Sequence, residues 1–158
     1  PSVTDPTIEQ KIRILHLMED LGLHAANIGL PGAGPRAYND ALELAKEIAS
    51  CRMKIKPNCA ARTVIADIDP VIDISQKTGI PIEVATFIGS SPIRQYVEGW
   101  TIDTVVDLSR KAVKYVVDHN LPSMYVTEDT TRAQPDDLEK LYTAAIRAGS
   151  TLGSYGSR

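Results

Sequence analysis

The feature that most constrains this chain is a change of hydrophobic period that recurs along it. Stretches with helical spacing alternate with short apolar runs, and turn residues punctuate each change. Thr7-Ile8-Glu9-Gln10 has the form of a capping box, and Ile8, Ile12, Leu15 and Leu21 continue as an apolar stripe that Gly22 stops. A short apolar segment from Leu23 to Leu30 runs into Pro31-Gly32-Ala33-Gly34-Pro35, a strong turn signal. Pro35 suits the first turn of a helix that Ala37, Ala41, Leu44, Ala45 and Ile48 carry to about Ser50. The next expected strand runs from Met53 to Ala60, and Asp69-Pro70 is expected to open a helix that Gly79 closes. Pro81 to Ile88 reads as a strand. Thr101 caps a helix bearing Ile102, Val105, Val106, Ala112, Val113 and Val116. Ser123 to Thr127 reads as the last strand, and Pro135 starts a final helix that Gly149 stops.

The order is one helix followed by four β-α units, which argues for an α/β fold with a parallel sheet. Two architectures satisfy it, a doubly wound sheet and a (β/α)8 barrel, and both place ligands at the C-terminal ends of the strands. The loops expected there, 29–35, 58–62, 87–92 and 127–132, are rich in Gly, Ser, Thr, Asn and Arg. The opposite connections, such as Asp20-Leu21-Gly22 and Lys77-Thr78-Gly79, are plain helix stops. That asymmetry marks one functional face.

A chain of 158 residues fits one domain, and 43% hydrophobic content suffices for a sizeable core. The formal net charge of -3 points to neither nucleic acid nor an anionic membrane, and the longest apolar runs are too short to span a bilayer. No signal-peptide pattern opens the sequence, so a cytoplasmic location is expected, with Cys51 and Cys59 as reduced thiols. Their spacing fits no zinc or redox motif, and His16, His24 and His119 stand in no paired spacing, so no metal site is expected in this chain.

The strand-end loops hold the candidates for chemistry. Glu128-Asp129-Thr130-Thr131-Arg132 follows a strand directly. Arg132 can clamp a carboxylate bidentately, and Glu128 can accept hydrogen bonds or transfer a proton. The alternative is an ion pair that orders the loop. Phe87-Ile88-Gly89-Ser90-Ser91-Pro92 offers hydroxyls and bare backbone N–H groups for anionic oxygens, or is a tight turn that needs small residues. Arg62 is either an anion anchor or half of a structural ion pair.

Four segments in order, Ile28-Gly29-Leu30-Pro31, Ala60-Ala61-Arg62 with Asp67-Ile68-Asp69, Thr86-Phe87-Ile88-Gly89-Ser90-Ser91, and Glu128 to Arg132, resemble the catalytic barrel of the 2-isopropylmalate synthase and homocitrate synthase family. That family is related to hydroxymethylglutaryl-CoA lyase, and the resemblance covers roughly residues 2–149. It implies a partial (β/α)8 barrel of about four β-α units. It also implies a Claisen condensation of acetyl-CoA with a 2-oxo acid held on a divalent metal (Mg, Mn or Zn), with Glu128 catalytic and Arg62, Thr86, Ser90, Asp129 and Arg132 binding substrate.

The sequence departs from the family at several points. The first-strand Asp-x-Thr-Leu-Arg signature and the His-x-His metal ligands of a later strand do not occur in it. Ala85 stands where the family often has His, Asn27 where it often has Glu, and the tail 150–158 does not continue the family pattern. The expectation is a partial barrel over residues 1–149 that holds strands two to five of eight, binds no metal by itself and is inactive alone. With two open sheet edges it is expected to be a homo-oligomer, with Ile28, Ile55, Val84 and Val126 as candidates for its uncovered apolar face. The alternative is a non-catalytic truncated barrel that self-associates or binds an anionic metabolite.

Overall fold

The computed structural model describes residues 5–151. Helix α1 spans Ile8–Asp20, strand β1 Ala25–Asn27, α2 Pro35–Ser50, β2 Lys56–Arg62 and α3 Ile65–Thr78. Then come β3 Glu83–Ile88, α4 Pro92–Glu98, α5 Ile102–Asp118, β4 Ser123–Thr127 and α6 Pro135–Arg147. Single 3-10 turns sit at Pro31–Ala33 and Thr130–Arg132. The four strands form one parallel sheet in the order β1-β2-β3-β4. Among the described residues no helix is long and apolar enough to cross a membrane.

The strand order decides between the two architectures. A doubly wound sheet reverses direction at a switch point and places helices on both faces. Here each strand lies beside its predecessor, so right-handed crossovers put every connecting helix on the same face. That is the arrangement of a barrel segment. Alternation then sorts the side chains. Ala26, Cys59, Ala61, Val84, Ile88 and Tyr125 point to the helices and are buried. They join α1, α2, α3 and α5 in one cluster, and α5 with α6 in a second. Tyr125 meets its polar requirement within the second layer, its hydroxyl lying 2.9 Å from Ser109 Oγ.

Local chemistry explains where the elements begin. Thr7 accepts from the Gln10 N–H while the Gln10 side chain accepts from the Thr7 N–H, a complete capping box. Thr101 caps α5 in the same way, through the Thr104 N–H. Two elements differ from the sequence expectation. Helix α3 starts at Ile65 rather than at Asp69-Pro70, leaving Pro70 inside it. The cost is small because the carbonyl that Pro70 leaves without a partner belongs to Ala66, an exposed residue. Helix α4 was not expected at all. It is seven residues long and has no buried residue; Ser91 caps it and Pro92 begins it.

The strands also shift. β1 is shorter than the expected 23–30, β2 runs to Arg62 rather than stopping at Ala60, and β3 begins at Glu83. Of the four residues expected on the uncovered face, only Val126 is there. Ile28, Ile55 and Val84 are buried in the helix-side core. Ser150 ties back to the start of β4 through Ser123 O at 2.9 Å, and the rest of the tail expected at 150–158, residues 152–158, lies outside the described residues.

The two faces predict different costs for similar side chains. Ile88→Ala, in the helix-side core, is expected to lower stability by about 2–5 kcal/mol, and Met124→Ala on the open face by less than about 1 kcal/mol. Urea unfolding of both variants measures the difference; equal losses would contradict the assignment of faces.

Candidate functional site

The side of the sheet away from the helices forms a trough of about 430 Å3, lined by Asn27, Asn58, Ala60, Ala85, Phe87, Met124, Val126 and Glu128 among others. The register arranges these residues in levels. Asn27, Asn58 and Glu83 stand side by side; above them come Ala60, Ala85 and Met124, and then Arg62, Phe87 and Val126. The lowest of these levels is polar. Asn27 donates to Asn58 Oδ1 at 2.9 Å and accepts from the Gly29 N–H at 3.0 Å. Burial pushes the Glu83 carboxyl above its ordinary range, partly offset by Lys56. The upper levels are largely apolar, and Glu128 closes them at the strand C-termini.

Two carboxylates shape the rim. Asp67 lies in the first turn of α3, is 3% exposed, and accepts two charged bonds from Arg62, from Nε at 2.6 Å and Nη2 at 2.8 Å. It also accepts from the Arg62 N–H at 3.2 Å, so it fastens the end of β2 to the start of α3. The 3-10 turn after β1 rests on the same carboxylate: a Cβ on Gly32 would lie 2.8 Å from Asp67 Cγ. Only glycine permits that approach. Asp129 does the same for the next pair of loops. Its carboxylate accepts from the Ser90 N–H at 2.8 Å and the Ser91 N–H at 3.1 Å, with Ser90 Oγ at 3.3 Å. Burial pushes this carboxyl up, but the hydrogen bonds from Ser91 and Ser90 outweigh it and hold it below its ordinary value.

The candidate residues therefore occupy three kinds of place. Glu128 is exposed at the head of the trough, and Arg132 is exposed on the 3-10 turn that follows. Arg62 is at the same end, its guanidinium committed to Asp67. Ser90 and Asp129 bind each other and brace two loops. Thr86 is fully buried on the helix side, donating to Met124 O at 3.2 Å. Alternation placed it there: Thr86 shares a face with Val84 and Ile88, while Ala85 and Phe87 face the trough. The Asn27–Asn58 pair and the Phe87 and Met124 lining were missed by sequence reading, whereas Val126 was expected on the uncovered face. The period-2 pattern was the available signal, but nothing in sequence alone says which parity faces the helices.

Packing also unites residues that sequence spacing keeps apart. His16 Nε2 lies 2.7 Å from Glu47 Oε1, and Cys51 Sγ lies 3.3 Å from the same oxygen. No metal cluster was expected, because His16 comes from α1 and the other two from the end of α2.

The HMGL-like family model matches residues 4–155. The chain belongs to the HMGL-like family. The family fold is a TIM barrel, and this parallel sheet is a consecutive part of it, open at β1 and β4. Among similar proteins, the 2-isopropylmalate synthase of Sulfurisphaera tokodaii is 31% identical over 147 residues, covering 92% of this chain and 36% of the relative. That of Methanocaldococcus jannaschii is 30% identical, covering 92% of this chain and 27% of the relative. A homocitrate synthase of M. jannaschii is 28% identical, covering 91% and 34%. The chain thus spans between 27% and 36% of the length of these relatives.

The donor set of the trough does not fit a divalent metal. Asn27 and Asn58 are bonded to each other. Glu83 and Glu128 are six strand positions apart, roughly 20 Å. Among the described residues, three His, Cys, Asp or Glu donors converge only at His16, Glu47 and Cys51.

The Asp67 clasp predicts a pH dependence. Hydrogen bonding from Arg62, larger than the opposing effect of burial, holds the Asp67 carboxyl below its ordinary 3.8. A carboxyl lowered by folding contributes stability that is complete above the unfolded value and is lost as pH falls through the folded one. Stability is therefore expected to decline below about pH 4, and more steeply in the parent than in Asp67→Asn. Urea midpoints of the two proteins between pH 5 and about 2 check this, and parallel curves would contradict it.

Proposed function

We propose that this chain forms part of the catalytic barrel of an acyltransferase of the 2-isopropylmalate/homocitrate synthase type, which condenses acetyl-CoA with a 2-oxo acid. The observation that carries the reading is the placement of Glu128 and Arg132 on the loop at the head of the trough. Membership of the HMGL-like family and the named relatives support it.

In such a reaction the acetyl methyl group loses a proton and its carbon attacks the keto carbon of the oxo acid. The new carbon–carbon bond leaves an alkoxide, which is protonated, and water then cleaves the thioester to release CoA. This chain's share is to hold the substrate. Arg132 pairs with the oxo acid's carboxylate in the forked geometry that guanidinium favours. Glu128 accepts a proton or a hydroxyl hydrogen bond beside it. Phe87, Met124 and Val126 take the apolar part of the substrate and exclude water. Arg62, paired with Asp67, fixes the end of β2 at the rim, while Thr86, Ser90 and Asp129 act through the backbone they fix. The family's divalent metal has no fitting donors in the trough, so no step is assigned to it here.

Titrating the 15N-labelled chain with 2-oxoglutarate and 2-oxoisovalerate tests this reading. Saturable shifts confined to residues 87–91 and 126–132 are expected, with affinity at least about tenfold weaker in Arg132→Ala, a loss of about 1.4 kcal/mol. Shifts elsewhere, or unchanged affinity in Arg132→Ala, would remove Arg132 from the site.

A second reading is favoured by the apolar lining itself. Ala60, Ala85, Phe87, Met124 and Val126 lie together on a face that, among the described residues, no helix covers, between the β1 and β4 edges. On this reading the chain is a non-catalytic module that self-associates through that face. A dimer in sedimentation at micromolar concentration, abolished by Phe87→Asp, is its expected outcome. A 17.2 kDa monomer across that range would exclude it.

A further inference from the structure

We propose that His16, Glu47 and Cys51 form a binding site for a thiophilic divalent cation, best matched by Zn2+, which staples α1 to α2 outside the barrel. The site needs no part of the catalytic reading. It lies where α2 approaches the N-terminal end of β2, at the opposite end of the molecule from Glu128 and Arg132.

Geometry is the first support. Imidazole nitrogen, carboxylate oxygen and thiol sulfur all lie within 4.8 Å of one another. A tetrahedral zinc centre has bonds of about 2.0–2.3 Å and so holds its ligand atoms roughly 3.3–3.8 Å apart. Glu47 Oε1 already lies 2.7 Å from the imidazole and 3.3 Å from the sulfur, so small rotamer adjustments bring the three donors onto one centre. Glu47 and Cys51 are one helical turn apart on α2, which puts both side chains on the same face toward α1. The His16 and Glu47 side chains are 44% and 27% exposed and Cys51 is exposed, leaving a path for the ion and room for water as a fourth ligand.

The electrostatic setting is the second support. Cys51 is the C-cap of α2 and Glu47 lies in its last turn, while His16 lies near the end of α1. Both helices end with partial negative charge, and neither has a basic residue in its last turn. A cation there is stabilised by the C-terminus of α2 as well as by its ligands.

The donor set selects the metal. One sulfur, one imidazole and one carboxylate suit zinc, whereas Mg2+ and Ca2+ prefer oxygen alone. On binding, the Cys51 S–H bond breaks, a sulfur–metal bond forms and the proton leaves to solvent, with no change of oxidation state. The other thiol does not compete. Cys59 is fully buried, and burial pushes it up to about 12, so it stays protonated.

Cobalt(II) is a suitable probe because a thiolate ligand gives it a sulfur-to-metal charge-transfer absorption. Titration of the full chain at micromolar concentration is expected to give that band, saturating at one equivalent and reversed by zinc. Cys51→Ser should abolish the band, and His16→Ala and Glu47→Gln should each weaken binding at least tenfold, with far-UV circular dichroism unchanged. A band that survives Cys51→Ser, no band at equimolar metal, or full affinity in both His16→Ala and Glu47→Gln would overturn the site.

Discussion

Every parallel strand of this chain is laid beside its predecessor, and every crossover turns the same way. With the order β1-β2-β3-β4 and right-handed connections, helices accumulate on one face and leave the other bare. The helix-side face supplies the core. Val84, Cys59 and Ala61 are fully buried there, and so are Ile68, Ile74 and Leu141 from the helices and Ile55 and Ile82 from the segments leading into β2 and β3. The bare face is what a closed barrel turns inward. The same topology therefore decides where stability comes from and where a substrate can sit.

The strand ends need more than topology, because loops have no ladder to fix them. Two carboxylates take that part, Asp67 buried and Asp129 partly buried. Asp67 gathers the end of β2, the start of α3 and the glycine turn after β1. Asp129 gathers the first two residues after Gly89 onto the loop after β4. In each case a single side chain satisfies backbone N–H groups that would otherwise be left unpaired at the rim. The Asp129 clasp holds the loop that carries Glu128 and Arg132. Their own side chains are exposed at the strand C-terminal end.

Residues whose information is local were legible in the sequence. The Thr7 capping box, the Thr101 cap and the exact span of Ser123 to Thr127 all follow from a few neighbouring side chains. So did the α/β class, since alternating periods leave few folds open. Residues whose role depends on facing were not legible. Thr86 and Ala85 are neighbours, and only the packed sheet shows that the first is behind it and the second in front. Helix α4 hides because it is only seven residues long: Ile93, Tyr96 and Val97 have helical spacing but span a single turn, and none is buried. The His16, Glu47 and Cys51 group hides because its members meet only when α1 packs on α2.

Glu83 limits what can cover the open face. It sits level with Asn58 on that face, and burial has already raised its carboxyl above the ordinary range. Any occupant that seals the trough removes more water from it and raises it further. Lys56, near the start of the neighbouring strand, offsets only part of that effect. A purely apolar cover therefore leaves Glu83 either protonated or as an uncompensated buried charge. A cover that brings a cation or hydrogen-bond donor to this level avoids both. The upper part of the trough, with Phe87, Met124 and Val126, sets the opposite requirement and favours apolar surface. The face is thus polar at its floor, apolar through its middle levels and charged at the strand C-termini, and a complementary partner must match those levels in the same order along the strands.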